Sequence, residues 1–386
     1  MTTLRFSGRM VAWALTLGWP ALGSGAENST PRLRDVYAQE FMIGVALSAA
    51  QVDGRERRAG ELAAEQFAAI TPENAMKWQA LHPQPDRYDF KAADAYVEFA
   101  GRHKLSLIGH TLVWHSQVPA WVFEGADGRP ATREVMLNRM RQHIHAVVGR
   151  YKGKVKGWDV VNEALSDHGA DILRDSLWRR LIGDDYIDHA FRFAREADPD
   201  TELYYNDYGL ENPRKRANSV TLIRGLLDRG VPITGVGTQS HFHLDYPALA
   251  DVDRTLAALS SLGLKVMVTE LDVDVLPSRG NAGIADLNRS EAGDASMNPY
   301  TAGLPDEIQT RLAHRYRDLF AVYRRHRGSI TRVTLWGLDD RQSWLNHFPI
   351  KRRTNHPLLF DRDLKPKPAF FALVHDRRPN AGGGTK

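Results

Sequence analysis

The sequence contains WDVVNE at residues 158–163 and KVMVTELD at residues 265–272, two short apolar runs that each lead into a glutamate. Valine and threonine favour β-strands, and the sequence after each run is more polar and typical of a loop. This pattern places Glu163 and Glu270 at the carboxyl-terminal mouths of two buried strands. One such carboxylate indicates little, but two that face one cleft can share acid, base and nucleophilic roles.

Similar apolar stretches recur along the chain, and charged segments with helical spacing lie between them. Eight strands are predicted, at residues 41–49, 67–74, 105–114, 155–163, 203–209, 235–241, 265–273 and 332–339. Helices are predicted at residues 93–104, 135–151, 185–197, 215–229, 253–262 and 307–325. Alternation of helices with continuously apolar strands favours a parallel sheet that is buried on both faces. Eight such units predict an α/β fold of one domain, a (β/α)8 TIM barrel.

A doubly wound open sheet is the alternative fold. We disfavour it because polar side chains follow nearly all the strands, whereas an open sheet collects them where the strand order reverses. In a barrel these side chains would form a ring at one rim, made of Glu73, Asn74, His110, Trp114, Asn162, Glu163, Asn206, Asp207, Gln239, His241, Glu270, Asp272 and Trp336. Such a ring suits a polyhydroxylated ligand, whose faces stack on aromatic rings.

The first 26 residues are expected to form a signal peptide. Arg5 and Arg9 precede the apolar run MVAWALTLGWPAL, and small residues follow it, so cleavage is expected near Ala26. A permanent membrane anchor is the alternative, but the run is short for a bilayer span and contains a glycine and a proline. We therefore expect an exported protein, periplasmic or extracellular, with no membrane partner after cleavage.

The composition limits the partners of the mature chain. There is no cysteine, so the protein must be stabilised by its core without disulfides. The formal net charge of +4 falls to about +2 once the two arginines are removed, which is too weak to predict a nucleic-acid partner. A monomer is the default expectation. Residues 377–386 are expected to form a disordered tail.

The segment at residues 276–305 is irregular and follows the seventh predicted strand. It is rich in Gly, Asn, Ser, Asp and Pro, and it is too long for an ordinary connection between strand and helix. We expect this enlarged loop to lie over the cleft beside Glu270. There it would either extend or narrow the cleft, or remain a disordered addition.

Glu270 has neighbours that would keep it charged. Asp272 lies on the same strand face, and His241 ends the preceding strand. One ring nitrogen of His241 could donate to Glu270 and the other to Asp272, which would orient an ionised nucleophile. The alternative is a purely structural hydrogen-bond network at the rim.

Glu163 would have to stay protonated to give a proton to a leaving oxygen, so the two carboxyls need separated pKa values. Asn162 precedes it, and at a strand end both side chains can reach the cleft. An amide beside the acid could hold a sugar 2-hydroxyl. A helix cap or a surface turn is the alternative for this Asn-Glu pair.

The histidines invite a metal interpretation, since His241 and His243 are two residues apart. We disfavour it because no partner ligands are evident and Asn and Gln are poor zinc ligands. Neither a metal nor a cofactor is predicted. Among the tryptophans, we interpret Trp336 and Trp344 as stacking platforms for sugars, and Trp78 as a loop anchor.

Seven motifs occur in a recognisable order: TPENAMKW (71–78), GHTLVWHSQ (109–117), WDVVNEA (158–164), YNDYG (205–209), GVGTQSH (235–241), TELDV (269–273) and TLWGLDD (334–340). Together they resemble the glycoside hydrolase family 10 xylanases, from about residue 41 to residue 370. The resemblance implies a glycoside hydrolase catalytic domain over residues 27–376. Its substrates would be xylan and xylo-oligosaccharides, and it would be a retaining endo-β-1,4-xylanase.

The resemblance also implies roles for individual residues. Glu163 matches the acid/base of the family and Glu270 its nucleophile, while Asn162 matches the residue at the 2-hydroxyl. The partners of the nucleophile would be His241 and Asp272. The remaining matches are Glu73, Asn74, Lys77, His110, Trp114 and Gln117 on the glycone side, Gln239 near the reacting sugar, Trp336 as floor, Trp344 as lid, and Tyr208 on the aglycone side. Without the resemblance, Lys77 would be interpreted as a solvated charge.

Two other functions remain as alternatives. A related barrel glycosidase could act on a β-1,4-glucan, and crowding near the extra hydroxymethyl group, at Trp344 and Gln117, would decide between the polymers. A non-catalytic glycan-binding barrel is disfavoured, because binding alone does not need two tuned acids.

Overall fold

This computed structural model describes residues 30–125, 127–278 and 293–375. Within these residues, nine parallel strands form the centre of the molecule. They are β1 Met42–Leu47, β2 Ala69–Pro72, β3 Ser106–Trp114, β4 Gly157–Asn162, β5 Glu202–Asp207, β6 Gly235–Thr238, β7 His241–His243, β8 Lys265–Asp274 and β9 Ile330–Leu335. The predicted signal peptide and tail, at residues 1–26 and 377–386, lie outside the described residues. From Arg32 on, the described residues form one compact unit.

The strands close into a barrel. Each of β1 to β5 pairs with the next strand, β1 also pairs with β9, β9 with β8, and β8 with β6. The short strand β7 follows β6 after two residues and pairs with the outer part of β8, so β6 and β7 share one position. The barrel therefore has eight positions, which confirms the predicted (β/α)8 fold and excludes the open sheet.

Helices cover the outside of the barrel. Within the described residues they are α1 Leu33–Val36, α2 Ala49–Val52, α3 Arg57–Gln66, α4 Trp78–Leu81, α5 Lys91–His103, α6 Arg133–Arg150, α7 Leu177–Ile182, α8 Tyr186–Ala197, α9 Pro213–Asp228, α10 Leu249–Ser260, α11 Asp306–Arg325 and α12 Pro368–His375, with 3-10 turns at Ala120–Phe123, Ala295–Met297 and Trp344–Asn346. The six predicted helices correspond to α5, α6, α8, α9, α10 and α11. Most of the others are too short for a periodic pattern to reveal.

Two local features set where β3, β4 and the start of α9 lie. Gly109 on β3 is paired with Trp158 on β4, and a Cβ at Gly109 would lie 2.0 Å from the indole, so only glycine admits this ring. Asn212 caps α9, where its side chain accepts hydrogen bonds from the amides of Arg214 and Lys215, and Pro213 takes the first helical position.

The enlarged loop at residues 276–305 is described only at its two ends, because residues 279–292 lie outside the described part. Neither described end lines the cleft that contains Glu270. Instead, the amide of Thr354 donates to the Asn298 side chain at 2.8 Å, and Arg353 donates to the carbonyl of Pro277 at 3.3 Å. Among the helices that the structure describes, none is both long and apolar enough to cross a membrane.

Candidate active site

A cleft of about 390 Å³ opens at the carboxyl ends of the barrel strands. It is lined by Glu73, Asn74, Lys77, His110, Trp114, Gln117, Asn162, Glu163, Gln239, His241, Glu270, Trp336, Gln342, Ser343, Trp344, His347 and Phe348. The structure thus brings together thirteen of the fifteen residues to which the sequence analysis gave a role in the site. Of the other two, Asp272 lies behind the lining and Tyr208 lies outside it.

Glu163 owes its position to the end of β4. The strand stops at Asn162, and Glu163 adopts the left-handed region with φ +57°. A non-glycine residue adopts this backbone at a cost of about 1–3 kcal/mol, so the surroundings must hold it there. Its amide donates to the carbonyl of Asn206 at 2.8 Å. The change of backbone is why two successive side chains, those of Asn162 and Glu163, both reach the cleft.

Glu163 is 4% exposed, three neutral side chains donate to its carboxyl, and His115 Nδ1 lies 3.9 Å from its Oε2. Trp114 Nε1 donates to its Oε2 at 2.7 Å, and Gln239 Nε2 and Asn162 Nδ2 donate to its Oε1 at 2.9 and 3.1 Å. Burial, followed by the nearby charges of Asp207 and Glu270, outweighs these donors and raises the pKa of Glu163 to about 7. At neutral pH this carboxyl can both give and accept a proton.

The Glu270 carboxyl is equally buried, but it faces a cation. His241 Nε2 lies 3.2 Å from its Oε2, and His241 Nδ1 lies 3.0 Å from Asp272 Oδ1. Burial alone would lower the pKa of His241, but Asp272 and Glu270 raise it to about 10. Burial likewise opposes the charge of Glu270, yet donation from His241 and from Asn206, at 2.7 Å, leaves the pKa of Glu270 below its usual range.

The two glutamates are also connected through the main chain. The amide of Glu163 bonds to the carbonyl of Asn206, the amide of Gln239 to the carbonyl of Asp207 at 2.9 Å, and the amide of Glu270 to the carbonyl of Gln239 at 2.9 Å. These bonds run across the ends of β4, β5, β6 and β8.

Asn206 is a site residue to which the sequence analysis gave no role. Its Nδ2 donates to Asn162 Oδ1 at 2.9 Å as well as to Glu270, and its own oxygen accepts from Thr269 Oγ1 at 2.6 Å. It therefore links the two carboxylates through Asn162. The signal was present in the sequence, since Asn206 belongs to the ring of polar strand ends.

One wall of the cleft is formed by the ends of β2 and β3. Lys77 Nζ donates to Asn74 Oδ1 at 3.0 Å and to Gln117 Oε1 at 2.9 Å, and it lies 4.9 Å from the centre of the Trp114 ring. Lys77 is 6% exposed and burial lowers its pKa. The interpretation of Lys77 as a solvated charge, which its charge alone would give, is therefore wrong. Two of the residues that surround it, Gln117 and Trp114, are distant in sequence and become its neighbours only on folding.

Aromatic residues form the floor and the opposite wall. Trp336 lies edge-on to His110 at 5.3 Å, and His110 is fixed by Asp159, 2.9 Å from its Nδ1. Trp344 Nε1 donates to Asp272 Oδ2 at 2.7 Å, so the carboxylate that holds His241 also holds this indole. Both tryptophans remain predicted sugar contacts.

The loop after β9 contributes four lining residues that the sequence analysis missed, Gln342, Ser343, His347 and Phe348. Phe348 stacks on Trp344 with ring centres 4.8 Å apart and an angle of 15° between the planes. An irregular loop has no periodicity that would assign its side chains to a face. Only the neighbouring tryptophan gave a signal.

Two residues outside the lining of the cleft are buried. Trp78 is 2% exposed and stacks on His143 at 3.7 Å, which agrees with its interpretation as a loop anchor. Arg353 is buried as well, and its Nη2 donates to the carbonyl of Phe348 at 3.2 Å.

Tyr208 lies outside the lining of the cleft. Its side chain is 1% exposed, its hydroxyl bonds to Asp167 and accepts from Arg174 Nη2 at 2.7 Å, and Lys215 Nζ lies 3.5 Å from the ring centre. One face of the ring is thus occupied by a cation. The place of Tyr208 on the aglycone side, which the resemblance implies, stays a prediction.

No three His, Asp or Glu side chains within the described ranges are grouped so that they could hold a metal ion. His241 already contacts Asp272 and Glu270 with both ring nitrogens.

Comparison with known proteins agrees with this geometry. A family model described as glycosyl hydrolase family 10 matches residues 32–376. The chain belongs to glycosyl hydrolase family 10. This family 10 chain is 42% identical over 366 residues to endo-1,4-beta-xylanase A of Xylanibacter ruminicola, covering 95% of this chain and 98% of the relative. It is 41% identical to endo-1,4-beta-xylanase B of Paenibacillus barcinonensis, covering 89% and 98%.

A solved structure gives the same result for the fold. The structure of a GH10 endoxylanase retrieved from a sugarcane soil metagenome superposes with a TM-score of 0.87 at 45% identity. The match covers 89% of the family 10 chain and 100% of that protein.

Proposed function

We propose that this family 10 hydrolase is an endo-β-1,4-xylanase that cleaves xylan with retention of anomeric configuration, with Glu270 as nucleophile and Glu163 as acid/base. The observation that carries the proposal is the opposite electrostatic environment of two carboxyls that line one cleft. The relatives named as xylanases support the choice of polymer.

In the first step, Glu270 attacks the anomeric carbon while the bond from that carbon to the leaving oxygen breaks. The proton of Glu163 moves to the leaving oxygen, and the sugar is left as an ester of Glu270. This step needs a charged Glu270 and a protonated Glu163, which are the states that their surroundings favour.

In the second step, the Glu163 carboxylate takes a proton from water as the water oxygen attacks the anomeric carbon. The bond to Glu270 breaks, and Glu163 is protonated again. A pKa near 7 suits a group that must act as acid and then as base in one cycle.

The other lining residues would bind the sugars. Asn162 would hold the 2-hydroxyl of the reacting xylose, with Gln239 beside it, and Trp336 and Trp344 would stack on sugar faces. On the glycone side the contacts would come from Glu73, Asn74, Lys77, His110, Trp114 and Gln117. We further propose that the enzyme is exported by its N-terminal segment and acts on xylan outside the cytoplasm.

Azide rescue of two alanine variants tests the roles of the glutamates. Glu270→Ala should abolish turnover of an aryl xylobioside, and external azide should restore it with a glycosyl azide of inverted configuration. Glu163→Ala with azide should give a glycosyl azide of retained configuration, because Glu270 still forms the ester. Hydrolysis by Glu270→Ala at nearly the rate of the unmodified enzyme would refute the assignment.

The polymer is tested separately by release of reducing ends from xylan and from carboxymethylcellulose. A higher rate on xylan is expected. Comparable or higher rates on the glucan would favour the alternative of a β-1,4-glucanase, and binding without release of reducing ends would favour a glycan-binding barrel.

A further inference from the structure

Four charged side chains form a cluster next to Glu163 and outside the lining of the cleft. Lys215 Nζ lies 2.8 Å from Asp167 Oδ1 and 3.0 Å from Asp207 Oδ1, and Arg174 Nη2 lies 2.8 Å from Asp167 Oδ2. The Asp207 side chain is fully buried and that of Lys215 is 5% exposed. We call these four residues the ion cluster. Two acids and two bases balance each other, so the complete burial of Asp207 and the near-complete burial of Lys215 are sustainable.

The ion cluster bonds to the backbone that carries Glu163. Arg174 Nε donates to the carbonyl of Glu163 at 3.1 Å. The amide of Leu165 donates to Asp207 Oδ2 at 3.2 Å, and the amide of Ala164 donates to the Tyr205 hydroxyl at 3.1 Å, which itself donates to Asp207. The polar backbone groups of three successive residues are thus held from one side.

This support matters because Glu163 has a left-handed backbone. A non-glycine residue leaves that conformation when its neighbours permit it, and its carboxyl would then move away from the leaving oxygen. Proton transfer requires hydrogen-bond reach, so a small displacement would slow it.

We propose that Arg174, Asp207 and Lys215 are positioning residues that hold the Glu163 carboxyl in line with the leaving oxygen. This inference rests on the proposed role of Glu163 as general acid. Arg174 fixes the carbonyl of Glu163, and Asp207 fixes the amides of the two residues that follow. Lys215 supplies the positive charge that lets the Asp207 carboxylate be buried.

The electrostatics agree with this geometry. After burial itself, the Asp207 carboxylate is the main charge that raises the pKa of Glu163, and it favours the protonated acid. Glu270 receives its side-chain donors from a different set, His241 and Asn206. Weakening the ion cluster should therefore impair the acid and spare the nucleophile.

The test compares two substrates on Arg174→Lys. Lysine keeps the charge, but it cannot reproduce the planar fork that reaches Glu163, Asp167 and Tyr208 together. One substrate is a xylo-oligosaccharide, whose leaving oxygen needs a proton. The other is 2,4-dinitrophenyl β-xylobioside, whose leaving group departs without one. The ratio of the two kcat/KM values does not depend on how much of the preparation is folded.

Arg179→Lys is the matched control. Arg179 is five residues further along and also pairs with acids, Asp171 and Asp184, and with the carbonyl of Leu173. In Arg174→Lys, we expect kcat/KM for the oligosaccharide to fall at least about tenfold more than kcat/KM for the dinitrophenyl substrate, since general acid catalysis is worth roughly 10²–10⁴-fold. Arg179→Lys should leave the ratio unchanged.

Each outcome has a distinct meaning. An unchanged ratio in Arg174→Lys, including equal losses on both substrates, overturns the positioning role. Glu163→Gln is measured in parallel, and its ratio should change more than that of Arg174→Lys. If Glu163→Gln leaves the ratio unchanged, the acid role itself is refuted, and the inference falls with it.

Discussion

The two glutamates of the cleft are buried to the same extent but are held in opposite ways. Glu270 lies within β8, and a cationic His241 lies against its carboxylate. Glu163 lies just beyond the end of β4 with a left-handed backbone, and the three side chains that donate to its carboxyl are neutral. The comparison teaches that burial does not decide the charge of a carboxyl. The charge of the groups in contact with it does.

Replacing the cationic His241 should have the largest effect on activity. In His241→Gln, the Glu270 and Asp272 carboxyls would face each other without a positive charge between them, so the pKa of Glu270 should rise. Since the proposed nucleophile Glu270 must be ionised, activity below the new pKa should fall by roughly tenfold for each pH unit. The pH profile of kcat/KM on an aryl xylobioside would show an acidic limb displaced to higher pH. An acidic limb that does not move would contradict the assigned role of His241.

Removing each carboxyl in turn should change stability in opposite directions. Burial raises the pKa of Glu163 from an ordinary 4.5 to about 7, so the folded state binds the proton more tightly. The folded enzyme therefore loses stability as pH rises from about 4.5 to about 7. Glu163→Gln removes this loss. The difference in free energy of unfolding between the variant and the unmodified enzyme should therefore shift in favour of the variant by up to about 3 kcal/mol from pH 4 to pH 8.

Glu270→Gln is the counterpart of that variant. The pKa of Glu270 is lowered, so its charge stabilises the fold above its ordinary pKa and this contribution is lost only at acidic pH. The variant should be less stable than the unmodified enzyme at neutral pH. Urea unfolding of both variants at pH 4, 6 and 8 provides the measurement. Parallel behaviour of the two would break the comparison.

A smaller effect is expected when one neutral donor to Glu163 is removed. Trp114→Phe deletes the Nε1 donor and leaves the ring buried, so the pKa of Glu163 should rise further, by less than about one pH unit. The alkaline limb of the pH profile should move to higher pH. Trp121→Phe is the control, because that indole packs on Arg139 outside the cleft lining. An alkaline limb that moves to lower pH would show that the indole raises the pKa instead.

The smallest effect on activity is expected at the wall formed by the loop after β9, whose described residues donate no hydrogen bond to the carboxyl of Glu163 or Glu270. Phe348→Ala removes the ring that stacks on Trp344, and such a pair is worth about 1 kcal/mol. KM for xylan should rise about fivefold, while both limbs of the pH profile stay in place. A shift of the acidic limb would instead couple this wall to Glu270 through Trp344 and Asp272.

The sequence was sufficient to predict the parts of the site that end strands. The eight strands, the pair of carboxylates and the position of His241 between two acids all follow from short apolar runs and the residues after them. These features are local, and the closure of the barrel brings their ends to one rim.

What the sequence alone could not predict concerns the direction and burial of side chains. Tyr208 follows a strand as the others do, but its ring contacts Lys215, its hydroxyl bonds to Asp167, and it does not line the cleft. Charge alone would place Lys77 in solvent, and only the family resemblance implied a place in the cleft, because Gln117 and Trp114 become its neighbours only after folding. Phe348 lies in an irregular loop, where sequence carries no periodic signal.

Main-chain hydrogen bonds join Glu163 to Asn206 and continue from Gln239 and Glu270 across the next strands. These bonds affect how this enzyme could diversify. They make the spacing of the two carboxylates a property of the sheet and not of the loops around them. Loops such as residues 276–305 and the segment with Trp344 and Phe348 can therefore be lengthened or exchanged to accept different chains. The stereochemical course of the reaction would be inherited unchanged.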